Sequence, residues 1–397
     1  MRICICTHSL RVAGGGSSKY FFEISKALME QGHDVTVVCT ENASDRNVVA
    51  TRVLYVKQFK IPFVGYLMQT MFFGLLSFLR VRKMNFDVLL FENGYLGVWA
   101  LLFRFFRKPL VGALLRYSPS FLFLNLKTNH KRLRPVYVLW ELLFLINEFL
   151  DSRIADRIVV LNSESKKLVC GYVGKRGLSK TNIVPYGVDV GVYRRERLDA
   201  GNLFPGLGRR SFVFTYVGHL DFARRCELLI PAFALLKERF PRKSLVLLVV
   251  GSGHLKHVLE SQRRKYKLEN EVFFISHVKD QDFLNRLLNI SDAAIFTQVP
   301  TTSSLLFAAT GVPIIGLRNR DNFFSGSPDD LISTFVLFDS PQPQLIADAC
   351  AKVLENLDLR KSLSEKVFFL SSRYKWENVG VLLSAVLFQV VNNRTGK

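Results

Sequence analysis

The chain has 397 residues, a formal net charge of +21 and an isoelectric point near 9.9. This length favours two domains, each able to bury its own core, and the charge favours an anionic partner. The six cysteines are scattered without a CxxC pair or zinc-ligand spacing, which argues against a disulfide framework and a zinc site. We expect buried thiols in a reducing compartment, and the opening MRICIC predicts a strand rather than a signal peptide.

The first half of the chain alternates between strand and helix patterns, as parallel α/β domains do. The pattern predicts strands at 2–6, 35–39, 87–91 and 155–161, and a strand ending in a turn at 182–189. It predicts helices at 17–31, 95–106, 136–152 and 163–172. Gly14, Gly15 and Gly16 separate the first strand from the first helix and would let the backbone approach a ligand closely. Their spacing is not GxGxxG, so a tight turn without a ligand is an equal alternative. Asn162 or Ser163 is expected to cap the helix that follows it.

An apolar and basic region runs through this first half. Residues 61–79 are about long enough to cross a bilayer, but the neighbouring helices contain acids, so we interpret all of them as helices of a globular domain. Residues 52–134 hold 14 cations against only Asp87 and Glu92, a net charge of +12. Cations among Phe, Leu and Trp favour an anionic membrane surface or a lipid-phosphate substrate over nucleic acid. A merely solvated basic face is the alternative. If a membrane is bound, Arg80, Arg82 and Lys83 are the predicted contact.

A charged stretch with glycine and proline, residues 194–210, predicts the link into a second domain. The alternation then restarts. It predicts strands at 212–217, 244–250, 271–275, 293–296, 314–315 and 336–337, and helices ending near 240 and 267 and spanning 280–289, 305–310, 341–357, 359–372 and 376–391. Asp280 and Asp282 are spaced like a metal-binding DxD pair, but they begin a predicted helix, so we prefer a capping role.

The most informative stretch is 292–315, a strand, a polar loop, a short helix and a second strand. Ligands of open parallel sheets bind at the carboxyl ends of the strands. Thr301, Thr302, Ser303 and Ser304 would place hydroxyls and amides at a helix start there, which suits a phosphate. The simpler interpretation is that Ser303 or Ser304 only caps the helix.

Taken together, the chain resembles the GT-B glycosyltransferases of the retaining family-4 type over nearly its full length. The order and spacing of several segments carry the resemblance: the three-glycine loop, GHDV at 32–35, ADRIVVLNSESKKL at 155–168, NIVPYGVDVGVY at 182–193, YVGHLDFARRCELLIPAF at 216–233, VVGSGHLKHVLE at 249–260, SDAAIFTQ at 291–298, AATGVPII at 308–315 and SRYKWENV at 372–379. It implies an α/β fold of two facing Rossmann-like doubly wound domains. Residues 1–195 would form the acceptor-binding and membrane-facing domain, with a C-terminal helix at 376–393 packed back on it, and residues 196–375 the donor-binding domain.

The resemblance also implies roles for individual residues. The diphosphate-binding Arg and Lys of the family fall on His219 and Arg224, and its paired glutamates fall on Gln298 and Leu306. The expected catalytic residues are therefore Arg224, His219 and Gln298, with Arg224 as a lone guanidinium on the diphosphate. The expected donor-binding residues are Gly251, Ser252, Gly253, Thr302, Ser303, Ser304 and Leu305. The expected acceptor-binding residues are Gly15, Gly16 and Arg116, the last where the family often has a histidine.

The activity implied is transfer of a sugar from a nucleotide-sugar of the UDP or GDP type to a lipid-linked or glycan acceptor, with retention of configuration. No metal and no cofactor beyond the nucleotide-sugar are expected, and the location is the cytoplasmic face of a membrane, bound peripherally. Leu306 cannot hold a ribose diol as a carboxylate would, and His219 is cationic only when protonated. A catalytically impaired GT-B scaffold or binding subunit at a membrane is therefore the alternative.

Overall fold

The computed structural model describes residues 1–10, 16–40, 50–59, 64–115, 134–198, 211–298, 302–318 and 329–395. The chain divides into unit 1, Met1–Tyr186 with Trp376–Lys397, and unit 2, Gly187–Lys375. This boundary comes earlier than the one placed after residue 195. Residues 187–195 belong to unit 2, where the Arg194 amide donates to Asn285 Oδ1 (3.1 Å) and the Arg195 guanidinium pairs with Glu365 (2.8 Å).

Unit 1 contains a parallel sheet whose strands follow the order β3-β2-β1-β4-β5-β6-β7. These are β1 Arg2–Cys6, β2 Asp34–Thr40, β3 Arg52–Val56, β4 Val88–Glu92, β5 Leu110–Leu114, β6 Arg157–Val160 and β7 Thr181–Ile183. The central strands are nearly continuous buried runs, as expected where helices cover both faces of a sheet. The chain winds first to one side of β1 and then to the other, so the strand order reverses between β1 and β4.

The helices of unit 1 are α1 Gly16–Glu30, α2 Val64–Val81, α3 Ala100–Phe105, α4 Arg134–Ile154, α5 Ser163–Val173 and α6 Lys175–Lys180. The helix predicted at 95–106 is shorter in the structure. Gly94 and Gly97 have positive φ angles, so a 3-10 turn at Gly97–Trp99 precedes α3. Asn162 caps α5, as predicted, by accepting a bond from the Ser165 amide (2.8 Å).

Unit 2 contains a second parallel sheet, in the order β10-β9-β8-β11-β12-β13. Its strands are β8 Phe212–Val217, β9 Leu245–Val250, β10 Val272–Ile275, β11 Ala293–Ile295, β12 Ile314–Leu317 and β13 Val336–Phe338. Its helices are α7 Leu229–Arg239, α8 Lys256–Lys265, α9 Gln281–Asn289, α10 Ser304–Thr310, α11 Asp329–Ile332, α12 Pro343–Glu355 and α13 Leu357–Ser371. Asp280 caps α9 by accepting bonds from the amides of Asp282 (3.0 Å) and Phe283 (3.2 Å), which confirms the capping interpretation.

The last helix, α14 Trp376–Thr395, packs against α1 in unit 1. Gly380 permits this approach, since a Cβ there would lie 2.8 Å from the Ala27 Cβ. His33 Nε2 and Ser384 Oγ form a hydrogen bond across the contact (2.8 Å), and the Trp376 ring packs on Tyr20. The C-terminal segment therefore completes the core of the first unit although it follows the second in the chain.

Two further predictions concern the apolar segments and the cysteines. Within the described ranges, no helix combines the length and the apolar character that a bilayer span requires. The apolar segment at 61–79 is represented by α2, which buries Gln69, Thr70 and Ser77, while residues 61–63 lie outside the described residues. The six cysteines are free thiols and all but the half-buried Cys170 are buried, which confirms the prediction of mostly buried thiols.

Candidate functional site

The strand order of unit 2 defines one candidate site. The chain runs from β8 to β9 on one side of the sheet and returns to β11 on the other, which makes the β8/β11 junction a topological switch point. Ligands of doubly wound sheets bind at the carboxyl ends of strands at such a point. The loops that leave β8, β9 and β11 carry most of the predicted donor-binding residues.

The loop after β9 packs tightly on the loop after β8. Gly251 has a φ of +149°, and a Cβ there would lie only 1.9 Å from the Gly218 carbonyl oxygen. A Cβ on Gly253 would lie 2.2 Å from the Leu220 carbonyl oxygen. The Leu220 amide also donates to the Ser252 carbonyl (3.0 Å). These two glycines are therefore required by the contact between the loops, which leaves Ser252 exposed.

Arg224 lies at the end of a 3-10 turn, Phe222–Arg224, that follows β8. Its guanidinium donates to Asp221 Oδ2 (2.6 Å), and its amide donates to Asp221 Oδ1 (2.9 Å). The structure therefore adds a partner that the prediction of a lone guanidinium did not include, since a carboxylate three residues earlier both caps the turn and pairs with the side chain. Both side chains are partly exposed, so an incoming phosphate would compete with Asp221 for Arg224.

Arg225 follows in the left-handed region, with a φ of 51°. Such a backbone costs a non-glycine residue about 1–2 kcal/mol. Burial raises the pKa of the nearby Glu227 carboxyl, and the positive charge of Arg225 opposes that rise. The strained turn thus places a second arginine directly after Arg224, to which sequence reasoning assigned no role.

His219 is held by its backbone while its side chain is exposed. The Tyr216 hydroxyl donates to the His219 carbonyl (2.8 Å), and the Cys226 thiol also contacts that oxygen (3.3 Å). Burial raises the pKa of Cys226 to about 11, so the thiol stays protonated and can donate. These bonds fix the course of the loop between β8 and Arg224.

The loop after β11 is joined to the loop after β8 by side-chain hydroxyls. The buried Thr297 hydroxyl donates to the Arg224 carbonyl (2.7 Å), and the Ser303 hydroxyl donates to the Val217 carbonyl (3.2 Å). Ser303 occupies the N-cap position of α10 without a side-chain capping bond, so the simpler capping interpretation is wrong for it. The half-buried Gln298 follows Thr297 directly, and its carbonyl accepts from the Leu317 amide (3.1 Å).

The start of α10 holds the remaining predicted donor residues. The Leu305 amide already donates to the Thr302 carbonyl (3.2 Å), and the Leu306 amide to the Ser303 carbonyl (3.1 Å), so both bonds lie within the turn. Ser304 is buried at the first residue of the helix. Leu306 is half-buried and offers no oxygen where the resembling family has its second glutamate.

A second candidate site lies at the β1/β4 switch point of unit 1. Glu92 is buried at the end of β4 and accepts from the Thr7 hydroxyl (2.8 Å) and the His8 amide (3.1 Å). The Thr40 hydroxyl donates to the His8 carbonyl (2.9 Å), and the His8 ring stacks on Tyr95 with centroids 5.1 Å apart. These residues were missed because they lie in three separate segments of the chain, near residues 7, 40 and 92.

The predicted acceptor-binding residues are only partly described. Gly16 begins α1, and a Cβ there would meet nothing within 4 Å, so the packing around it does not require a glycine. Gly15 and Arg116 lie outside the described residues.

Two family models match the chain, one in each half. The model described as Glycosyltransferase Family 4 matches residues 14–192, and the model described as Glycosyl transferases group 1 matches residues 205–369. The chain belongs to the group 1 glycosyltransferases. The two matches cover both sheets except β1, and they cover the segments that carried the resemblance except for residue 193 and the segment at 372–379.

Curated relatives of this group 1 glycosyltransferase match it over limited stretches. An uncharacterized glycosyltransferase of Methanocaldococcus jannaschii is 30% identical over 132 residues, which cover 32% of this chain and 30% of that protein. The D-inositol 3-phosphate glycosyltransferase of Corynebacterium urealyticum is 26% identical over 187 residues, which cover 44% of this chain and 42% of that enzyme. The matched stretches thus span less than half the length of these relatives.

Solved structures match the group 1 chain over nearly its whole length. Sucrose-phosphate synthase from Thermosynechococcus elongatus superposes with a TM-score of 0.78 at 15% identity, covering 99% of this chain and 100% of that one. Anabaena HepE in complex with UDP superposes with a TM-score of 0.71 at 16% identity, covering 98% of this chain and 100% of that one. WaaG, a glycosyltransferase involved in lipopolysaccharide biosynthesis, superposes with a TM-score of 0.69 at 14% identity, covering 100% of both chains. At these identities the likeness concerns the fold, and the predicted pair of Rossmann-like GT-B domains is confirmed.

Proposed function

We propose that this protein transfers a sugar from a nucleotide-sugar to an acceptor. The observation that carries the proposal is the loop cluster at the β8/β11 switch point, in which Thr297 and Ser303 tie two loops together around Arg224. HepE has been solved with UDP and with UDP-glucose, and it shares this fold. A donor of the UDP type, or its GDP counterpart, is therefore the proposed co-substrate.

In the proposed reaction, Arg224 binds the diphosphate of the donor after exchanging Asp221 for a phosphate oxygen. Arg225 and, when protonated, His219 add positive charge beside it. This charge stabilises the leaving nucleoside diphosphate, so that no metal is needed for that role. Gln298 would hydrogen-bond the sugar. Retention follows if the leaving phosphate assists the incoming hydroxyl, with positioning rather than a protein nucleophile supplying the rate.

The proposed acceptor is lipid-linked or a glycan, bound by unit 1 at the cytoplasmic face of a membrane. The predicted excess of cations over residues 52–134 supports this part of the proposal. His8 and Tyr95, at the carboxyl edge of the sheet in unit 1, present an aromatic platform on which a sugar ring would stack.

Calorimetric titration with UDP, GDP and their sugars tests the donor site. Charge-assisted hydrogen bonds contribute about 1.5–3 kcal/mol, so Arg224→Ala should weaken binding by about 10- to 100-fold. Arg239→Ala is the matched control, because Arg239 is also an ion-paired arginine of unit 2 but ends α7, at the amino edge of the sheet. Equal affinities for the parent and Arg224→Ala, or no saturable binding of any nucleotide, would overturn the proposal.

The alternative of a catalytically impaired scaffold rests on the apolar Leu306 at the start of α10 and on His219, which is cationic only when protonated. A scaffold of this kind would bind a nucleotide but release no UDP from UDP-sugars in the presence of acceptor mixtures. Introducing the carboxylate with Leu306→Glu provides the comparison. A turnover that appears only in Leu306→Glu would favour the scaffold, and turnover in the parent protein would exclude it.

A further inference from the structure

Helix α4 exposes apolar side chains and buries acidic ones, which is the reverse of the usual arrangement. Its outer face carries Leu139, Leu142, Ile146 and Phe149, spaced three and four residues apart, and Leu139 and Ile146 are 54% and 55% exposed. Its carboxylates point inward, since Glu141, Glu148 and Asp151 are each at most 1% exposed. A helix on the surface of a soluble domain normally buries its apolar stripe and exposes its charges.

Hydrogen bonds within unit 1 hold the inward-facing Asp151 in place. Asp151 accepts bonds from the amides of Gly94 (2.8 Å), Leu96 (3.3 Å) and Gly97 (2.8 Å). A Cβ on Gly97 would collide with the Asn147 side chain of α4. The orientation of α4 is therefore fixed by buried polar bonds, and its apolar face is held outward.

A second apolar row lies on the neighbouring segment. Val98, Leu101, Phe105 and Phe106 are exposed, and Phe105 is 82% exposed. This segment contacts α4 and is tied to it through the Gly97–Asp151 bond. We call the two rows together the apolar face: Val98, Leu101, Phe105, Phe106, Leu139, Leu142, Ile146 and Phe149. Monomeric soluble proteins seldom expose so many large apolar side chains on adjoining helices.

The charges around the apolar face are positive. The Arg153 guanidinium lies 4.7 Å from the centre of the Phe149 ring, and the exposed Arg107 directly follows Phe106. Within the described residues 64–115 and 134–154, every acid is buried or ion-paired: Asp87 pairs with Arg2, and Glu92, Glu141, Glu148 and Asp151 are buried. A cationic margin without exposed acid is complementary to anionic lipid headgroups.

We propose that the apolar face lies in the interface of an anionic bilayer, with α4 parallel to the membrane surface and Arg107 and Arg153 at the headgroups. This deepens the proposed function, on whose membrane location it rests, and it places the contact on α3 and α4 rather than at Arg80, Arg82 and Lys83. The buried carboxylates explain why α4 would lie on the membrane and not cross it.

Cosedimentation of the full chain with vesicles tests the proposal. The vesicles contain phosphatidylglycerol and phosphatidylcholine, or phosphatidylcholine alone. Phe105→Gln with Ile146→Gln should lower partitioning into the anionic vesicles at least 10-fold. Phe369→Gln with Val381→Gln is the control, because it changes an exposed Phe (65%) and an exposed β-branched residue (57%) that are not part of the apolar face. Arg107→Glu with Arg153→Glu should abolish the preference for the anionic vesicles.

Several outcomes would overturn the proposal. In the first, the Phe105/Ile146 variant sediments with the vesicles as the parent does. In the second, the protein is released from the vesicles only when Arg80, Arg82 and Lys83 are replaced by Glu. The third outcome combines two results: the parent protein does not bind vesicles, and light scattering shows a concentration-dependent dimer that the Phe105/Ile146 variant does not form. The apolar face would then join two copies of the chain. UDP titration of the same variants separates this test from the donor site, because they should bind UDP as the parent does.

Discussion

Replacing Gly251 by alanine tests whether the loops after β8 and β9 pack as the structure shows. The new Cβ would lie 1.9 Å from the Gly218 carbonyl oxygen, whereas an ordinary contact is 3.4 Å or longer, so the two backbones must separate by about 1.5 Å. The φ of +149° adds strain for any residue with a side chain. Backbone strain costs about 1–3 kcal/mol and overpacking a similar amount, so we expect a loss of about 2–6 kcal/mol.

The consequence for binding follows from where the shift occurs. Gly218 begins the loop that carries His219 and Arg224, and a displacement of about 1 Å in a positioned group can lower a rate 100-fold. Thermal melting with and without UDP, together with calorimetric UDP titration, measures both effects. Gly171→Ala is the control, since Gly171 is exposed in α5 and a Cβ there meets nothing within 4 Å. It should stabilise the protein by about 0.5–1 kcal/mol.

Two results would refute this reasoning. One is a Gly251→Ala protein that melts with the parent, which would mean that the loops are not in contact at this position. The other is a destabilised Gly251→Ala protein that still binds UDP with the parent affinity below its melting temperature, which would separate the β8 loop from the donor site.

Three further predictions concern single side chains. Arg225→Gly should relieve the left-handed strain, raising the melting temperature by about 2 °C while weakening UDP binding a few-fold; a lower melting temperature would contradict the strain. Thr297→Val removes a buried bond to the Arg224 carbonyl and should cost about 1–2 kcal/mol and weaken UDP binding, whereas Thr40→Val, which loses a similar bond in unit 1, should cost as much and leave UDP affinity unchanged. Burial raises the pKa of Asp151 to about 8, against about 3.9 for an unfolded chain. The folded state therefore retains a proton that the unfolded state loses, so stability should fall between about pH 4 and pH 8, by at most about 1.4 kcal/mol per pH unit. Denaturant titrations across this range should show a flatter dependence for Asp151→Asn, and equal slopes would show that Asp151 is not protonated in the folded state.

Much of the fold follows from local patterns in the sequence. The alternation of short apolar runs with amphipathic segments predicted the parallel α/β class, and strand β8 was placed at its observed bounds. Strands β3 and β5 were not predicted. Five-residue runs of this kind are ambiguous until neighbouring strands pair with them, which happens only in the assembled sheet.

The candidate site was predicted as a set of positions, and the structure decided what those positions contact. Sequence reasoning found Arg224 but not its pairing with Asp221, although an acid three residues before it is a capping signal visible in the sequence. The bond from Thr297 to the Arg224 carbonyl joins residues 73 positions apart. No local pattern encodes such a bond, because it depends on β8 and β11 becoming neighbours.

The sequence by itself determined the period of the hydrophobic residues, the positive charge of the first half and the family of the chain, because these depend only on residue type and spacing. The tertiary structure decided which face of each helix is buried. In α4 the apolar stripe could have turned inward by pattern alone, yet the amides of Gly94, Leu96 and Gly97 hold Asp151 inside. A buried carboxyl group bound by three N–H groups fixes the rotation of the helix, and the leucine, isoleucine and phenylalanine side chains are left facing outward.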